Sequence, residues 1–587
     1  MKAIDGSIIE FREINKNLYT HLCQKGDISD IQAYIASSLD WVSIDNYEDY
    51  LHPRIKNLLP DPFHLLDMDL GVSRIIDAMK NGNRVMLFAD YDVDGACSAA
   101  ILKLFLVHLG MDVGIYIPDR FSEGYGPNKE AFLQIKDDGY DLVITLDCGT
   151  VAFDPMIYAK EIGLDAIVID HHIGAERSPE SIAFINPNKY NELSPYKYLS
   201  AGGVTFLLCV AVQQYMKKNN MFINKEPYNL LSLIDLVALS TVCDVMKLEG
   251  LNRAFVSTGL KLMQSNPRNA IKAMMNVANL SEITSVYHLG FIIGPMINAG
   301  GRMDDSSTGS KLLSCDDYDI CFGLAEKLME ANQERKEVER KNLEFVYGLV
   351  SEDHNGFIFA SDESLHQGVI GILASRIKDK HNAVTFIGSH IEENGESIIK
   401  VSCRSINGFD VGECVMSCLE NGLLIKGGGH GAAAGFSCHY DMKDSIVDFV
   451  YEKYGNQILE LSKNRRIKAL KEISIDAVSI DFIKSILTLE PFGISNPSPI
   501  FVINDIVFSG YKIMKDVHMA IFVKSKYTGV SYKITAFNVV GNSIGDCIIK
   551  LKYGSEFRCI ASLGINSYMG KENIDIILQN LVDNTCI

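Results

Sequence analysis

A chain of 587 residues exceeds what one hydrophobic core organises, so two to four domains are expected. It is 47% hydrophobic and 22% charged, no apolar stretch reaches the ~18 residues of a membrane span, and the charged N-terminus "MKAIDGSIIEFREI" lacks a signal-peptide core. A net charge of −19 counts against a general polyanion binder, but leaves room for a local basic groove or for metal ions held by clustered acids.

Residues 1 to about 60 read as helical and polar, with "LHPRIKNLLPDPF" as a proline-punctuated entry to the next segment. From about 84 to 250, strands and helices alternate. The expected strands are "RVMLFA", "DVGIYIP", "DLVITLD" and "DAIVID"; helix-like runs lie at 96–109, 127–138 and 154–163. Continuous apolar strands in a β-α-β rhythm predict a parallel sheet covered on both faces, whose ligands bind at the C-terminal strand ends. A helical stretch comes next at 200–290, then one long helix at 316–350, free of Gly and Pro from 324 to 347 and supported by pairs such as Glu337–Lys341. A second, Gly-rich α/β unit spans about 355–455. From about 470, alternating patterns such as "SPIFVINDIVFSGYKIM" and "HMAIFVKS" predict short antiparallel strands and a small β-barrel. The 14 cysteines include no CxxC, and Cys414 and Cys418 stand at i,i+4 on an expected helix. That pattern argues against a zinc site and a disulfide framework, and points to reduced thiols in the cytoplasm.

The chemistry concentrates at the ends of the apolar runs. "FADYDVDGACSAAIL" (88–102) carries Asp90, Asp92 and Asp94. "DLVITLDCGT" presents Asp147, "DAIVIDHHIG" presents Asp170, His171 and His172, and "LVALSTVCDVMKLEG" places Asp244 after a further apolar run. An aspartate at one strand end is ordinarily a turn former or helix cap. If these runs are strands of one parallel sheet, their ends converge, and bare carboxylates would raise each other's pKa. Bound divalent cations remove that conflict. Asp and His ligands without Cys suit Mn²⁺ or Mg²⁺.

In order and spacing, "ADYDVDG", "LDCGT", "IDHH" and "STVCDV" resemble the DHH phosphoesterase superfamily. Further segments narrow the resemblance to the RecJ single-strand-specific exonucleases: "IPDRFSEGYGPN" (117–128), "GPMINAGGRMDD" (294–305), "HQGVIGILASRI", "VSCRS", "GGGHGAAAGFS" and "LEPFGISNPSPIFV" (489–502). The likeness covers about 60–587. It departs at Met296, where the family usually has Arg, and at Ser495, where Gly is usual.

The resemblance implies an α/β fold with a parallel-sheet DHH domain, a long connecting helix, a second α/β DHH-associated domain and a C-terminal oligonucleotide-binding β-barrel. The corresponding segments are 61–315, 316–352, 353–465 and 466–587, after an N-terminal segment 1–60. It implies two Mn²⁺ or Mg²⁺ ions held by Asp92, Asp94, Asp147, His171 and Asp244, with Asp147 bridging and Asp90 a lower-ranked ligand. Asp170 would orient the histidine pair, and His172 would face the scissile phosphate. Arg120, Arg302 and Arg404, with Ser402, would grip phosphates, and Gly429 and His430 lie in the Gly-rich loop beside them. The implied activity is 5′→3′ hydrolysis of single-stranded DNA to 5′-mononucleotides in DNA repair and recombination. The implied setting is a cytoplasmic, nucleoid-associated monomer without membrane contact, working with single-strand-binding protein and a DNA helicase. The alternatives are a DHH enzyme acting on short oligonucleotides, cyclic dinucleotides or pyrophosphate, and a non-catalytic RecJ-like replication scaffold. The barrel weighs against the first, and acids at every expected ligand position weigh against the second.

Overall fold

The computed structural model describes residues 1–120, 122–222, 226–303, 305–351, 354–393, 395–568 and 571–583. Phe121 and Asp304, each within a motif quoted above, and residues 352–353 at the expected domain border lie outside the described residues. The chain forms two compact units, one of residues 39–333 and 488–497, the other of residues 1–38, 334–487 and 498–587.

The first unit is built on a five-stranded, all-parallel sheet. Its order is Val113–Tyr116, Val85–Ala89, Leu142–Leu146, Asp165–Ile169, Ala183–Ile185. The four expected strands are present; the short fifth, Ala183–Ile185, was not read from the sequence. Alternate residues serve opposite faces, as the pleat requires. Leu87, Ile144 and Ile167 pack with the helices Met68–Asn81, Val93–His108 and Ala201–Lys218. Phe88, Val143 and Val168 pack with Lys129–Asp137 and Phe153–Glu161. Burial on both faces explains why these strands read as unbroken apolar runs. The strand Val85–Ala89 has its sequence successor on one side and Leu142–Leu146 on the other. Strand order therefore reverses there, and a crevice opens at the C-terminal ends of those two strands.

The run before Asp244 is a helix, Ile234–Cys243, as the helical reading of 200–290 expects, and not a further strand of the parallel sheet. It is buried on all sides from Ile234 to Thr241, and an apolar run without a polar face carries no period that separates helix from strand. The segment 488–497 is tied into this unit by the buried Arg253, which donates to the carbonyls of Tyr50, Leu489 and Pro491 at 2.8–3.0 Å. Both family departures are structural here. Met296 is fully buried in the core, and Ser495 occupies the left-handed conformation (φ 64°) that glycine adopts without strain.

The second unit contains a five-stranded sheet in the order Lys426–His430, Ala433–His439, Glu396–Arg404, Val384–Glu393, Phe357–Asp362, antiparallel except for the last pair. The segment "KGGGHGAAAGFS", expected as a loop, is a β-hairpin of the first two strands. The C-terminal strands Ile500–Met514, His518–Ser525, Ser531–Ala536, Lys571–Leu581 and Glu556–Tyr568 pair in that order, and the last pairs again with the first. The N-terminus is not purely helical. Ile8–Phe11 is a strand parallel to Arg466–Ala469, and Ala3 and Ile9 pack with Val502, Ile560 and Val582 of the barrel. The long helix is present as Tyr318–Leu349. Among the described residues no helix is long and apolar enough to cross a membrane. Twelve described cysteines are free thiols, as expected, whereas Cys547 is disulfide-bonded.

Candidate active site

Three of the five parallel strands carry their ladder one residue further and end on an acid. The Asp90 N–H donates to the Leu146 carbonyl (3.2 Å), that of Asp147 to Ile169 (3.0 Å) and that of Asp170 to Ile185 (3.2 Å). Asp147 then turns the chain in the left-handed region (φ 59°), which aspartate tolerates better than most residues. Asp92 caps the helix Val93–His108, its Oδ1 accepting from the N–H groups of Asp94 (2.8 Å) and Gly95 (3.1 Å). Gly95 lies so close to the Asp90 backbone that a Cβ would collide with the Asp90 carbonyl. Asp94 is buried and accepts from Ala201 N–H, Gly202 N–H (both 2.8 Å) and Ser240 Oγ (2.6 Å). The first two are orphan donors at a helix N-terminus, a favourable place for an anion.

The candidate ligand atoms fall into three overlapping groups, each with atoms within 4.8 Å of one another: Asp90, Asp92 and Asp147; Asp94, His171 and Asp244; and Asp147, His171 and His172. His171 Nε2 lies 3.3 Å from Asp147 Oδ1, 3.3 Å from Asp244 Oδ2 and 3.8 Å from Asp94 Oδ2. Four of these atoms, Asp90 Oδ1, Asp147 Oδ1, His171 Nε2 and Asp244 Oδ2, are buried without a hydrogen-bond partner. Burial, then mutual repulsion, pushes the carboxyls of Asp90, Asp147 and Asp244 well above the usual carboxylate range. Burial likewise lowers His171, leaving its imidazole neutral and able to ligate. Orphaned buried acceptors around a neutral imidazole fit two hard divalent cations, and nothing else in the described chain satisfies them.

Asp170 holds His172 rather than the pair by their side chains. Its Oδ1 lies 2.7 Å from His172 Nδ1 and accepts from the backbone N–H groups of His171 (2.7 Å) and His172 (3.2 Å), while Oδ2 accepts from Thr150 N–H (3.1 Å). Burial opposes ionisation of Asp170, but these donors outweigh it and hold its carboxyl below the usual range. Burial also opposes charge on His172, yet the Asp170 partner raises its pKa to about 9. Two asparagines that sequence reasoning missed fix this loop. Asn186 donates to the His172 carbonyl (2.9 Å) and Thr150 Oγ1 (2.8 Å), and Asn188 donates to the His171 carbonyl (2.7 Å). The available signal was "INPNK", an Asx-rich turn directly after a strand-like run. Tyr125 and Ser240 were also missed; Tyr125 donates to the Asp147 carbonyl at 3.2 Å.

Arg120 and Arg302 both act on Tyr91, which stands between Asp90 and Asp92. The Arg120 guanidinium lies 5.1 Å from the Tyr91 ring, and Gly301, before Arg302, packs on the Tyr91 backbone. Burial, then Asp90, pushes the Tyr91 hydroxyl up to about 12 against the pull of both arginines. Ser402, Arg404, Gly429 and His430 belong to the other compact unit. Arg404 donates to Ser402 Oγ (3.2 Å), to the Cys403 carbonyl (2.8 Å) and to Ser375 Oγ (3.1 Å), a partner not foreseen. Across three adjacent strands Arg404 and His430 both register with Ala433, and Gly429 registers with Ala434.

Comparison with known proteins matches residues 84–239 to the DHH family N-terminal domain, 354–456 to the DHHA1 domain and 471–580 to the RecJ OB domain. The single-stranded-DNA-specific exonuclease RecJ of Salmonella typhimurium is 31% identical over 553 residues, covering 90% of this chain and 92% of that protein. The crystal structure of RecJ from Thermus thermophilus in complex with Mn²⁺ superposes with a TM-score of 0.79 at 22% identity, covering 98% of this chain and 80% of that one. An exonuclease RecJ bound to manganese matches at 28% identity with a TM-score of 0.56, covering 67% and 95% of the respective chains. The order of strand-end acids, the sheet that converges them and this coverage agree: the chain belongs to the RecJ family of single-stranded-DNA-specific exonucleases.

Proposed function

We propose that this chain is a divalent-metal-dependent exonuclease that hydrolyses single-stranded DNA from the 5′ end to 5′-mononucleotides, in DNA repair and recombination. The observation that carries this reading is the set of four buried, unpartnered ligand atoms at the reversal point of the parallel sheet. Asp90, Asp92 and Asp147 would hold one Mn²⁺ or Mg²⁺, and Asp94, His171 and Asp244 the second, with Asp147 within reach of both groups. When bound, such ions supply a water acidified towards neutrality and offset the phosphate charge.

The chain's own residues do the rest. Asp170 fixes the tautomer and direction of His172, whose raised pKa keeps a proton available at neutral pH for the leaving 3′-oxygen. Arg120 and Arg302 hold phosphates without reading bases, and Arg404, steadied by Ser402 and Ser375 beside Gly429 and His430, does the same from its own sheet. On this reading 61–315 is the catalytic segment, 316–352 a connector, 353–465 the associated domain and 466–587 the strand-holding barrel. The enzyme works in the cytoplasm at the nucleoid, as a monomer, on strand delivered by a helicase and covered by single-strand-binding protein.

The test is degradation of labelled 5′-tailed, 3′-tailed and blunt duplexes in Mn²⁺. Mononucleotides from the 5′ tail only, abolished by chelator, are expected. Release from the 3′ tail overturns the polarity. No degradation of DNA, with turnover of short or cyclic dinucleotides, moves the chain to the small-substrate reading.

A further inference from the structure

Just before the helix Gly294–Met303, the chain makes a π-helical turn, Leu289–Ile293. Leu289 and Ile293 are fully buried, whereas Phe291 is 71% exposed and Tyr287, four residues earlier, 58% exposed. Their rings are stacked, with centroids 5.1 Å apart and planes 21° from parallel. Scattered exposed apolar residues are ordinary, but two large rings lying together in water forgo burial that a core would reward. Single π-helical turns recur at functional sites.

The position of this turn is specific. Cys243, the residue before Asp244, donates from Sγ to the Leu289 carbonyl at 3.5 Å. A Cβ on Gly294 would lie 2.5 Å from the same sulfur, so only glycine permits this approach. At the other end of the helix Gly294–Met303, Gly301 packs against Tyr91, between Asp90 and Asp92, and Arg302 comes next. One continuous element therefore runs from the exposed rings, past Asp244, to the backbone of the Asp90–Asp94 segment.

We propose that Tyr287 and Phe291 form a stacking platform for a base of the single-stranded substrate, holding the strand beside the metal centre while Arg302 takes a phosphate. The proposal rests on the exonuclease reading and adds a positioning site to it. Stacking on an aromatic face reads no sequence, since every base has a π-face, which suits an enzyme that must digest any strand. A base paired in a duplex has both faces covered, so the platform also favours single strands.

The experiment uses the full chain, with Tyr287→Ala and Phe291→Ala singly and together, and Tyr287→Phe and Phe291→Tyr as conservative partners. Binding of a labelled oligothymidylate in chelator and steady-state release of mononucleotides in Mn²⁺ are measured, with a single abasic unit walked along the strand. The double alanine variant is expected to raise Kd and KM roughly tenfold to a hundredfold with kcat within about threefold, while the conservative variants stay near wild type. One abasic position should weaken the wild type and have no further effect in the double variant. Melting curves should coincide, because the rings are exposed. Unchanged Kd and KM, or an abasic penalty that persists in the double variant, overturns the platform and leaves the exonuclease reading standing on the wild-type activity. A wild type that neither binds nor shortens the strand overturns both.

Discussion

At the scale of single residues, the candidate centre is a set of groups in conflict. Asp90, Asp147 and Asp244 are raised by burial and by neighbouring carboxylates, Asp92 foremost for Asp90 and Asp94 foremost for the other two, so in the metal-free protein each folded-state pKa exceeds its unfolded value of about 4. Their contribution to stability is thus fully present below about pH 4 and is lost as pH rises through the raised values. Mn²⁺ should cancel that loss. The rise in Tm on adding Mn²⁺ should therefore be larger at pH 8 than at pH 5, as scanning fluorimetry would read; a flat or inverted trend would sink the assignment. Asp147→Asn should abolish hydrolysis, raise the Tm of the chelated protein and shrink the metal-dependent gain, with strand binding kept within about tenfold because the arginines supply grip. Asp170→Asn acts differently. It leaves the six candidate ligands in place but misdirects His172, and should lower kcat roughly ten- to a hundredfold with KM little changed. A large KM effect would show that Asp170 serves strand binding instead.

At the scale of elements, the site depends on close approach. The helix Val93–His108 can start where it does only because Gly95 lacks a Cβ. Gly95→Ala would push the helix start off the Asp90 backbone and displace Asp92 and Asp94 together. A loss of roughly 1–3 kcal/mol in urea unfolding is expected, with hydrolysis falling further than stability alone explains. Near-normal activity would mean that the acids tolerate displacement and that the cluster is not a rigid cradle. The residue types at these positions were legible because strand ends are local features: an apolar run stops and an acid comes next. Asp244 was legible as a residue, but its apolar run fitted both the helical stretch 200–290 and a strand of the sheet, since a helix buried on all sides has no polar face to reveal its period. Asn186 and Asn188 escaped notice because a turn-forming asparagine looks alike whether or not its amide reaches the loop that carries His171 and His172.

At the scale of the molecule, the N-terminal segment has a structural task. Ile8–Phe11 extends Arg466–Ala469, and Ala3 and Ile9 cover Val502, Ile560 and Val582. Removing residues 1–14 exposes that apolar patch and an unpaired strand edge. The calorimetric transition of the unit formed by 1–38, 334–487 and 498–587 should weaken by about 2 kcal/mol or more, from the lost burial of Ile9 alone. An unchanged thermogram would refute this sealing role.

The sequence by itself determined the chemistry: which acids and histidines stand at the ends of apolar runs, that they need divalent ions, and the order of motifs that marks the family. These are properties of short segments and of their succession along the chain. Only the tertiary structure decided which atoms are left without partners, that Asp94 is held at a helix N-terminus, that Asp170 grips His172, and that Tyr287 and Phe291 stack in the open on the turn whose Leu289 carbonyl meets Cys243. Those outcomes depend on residues far apart in sequence being packed together. Burial, repulsion and hydrogen-bond satisfaction are properties of that packing, not of any segment alone.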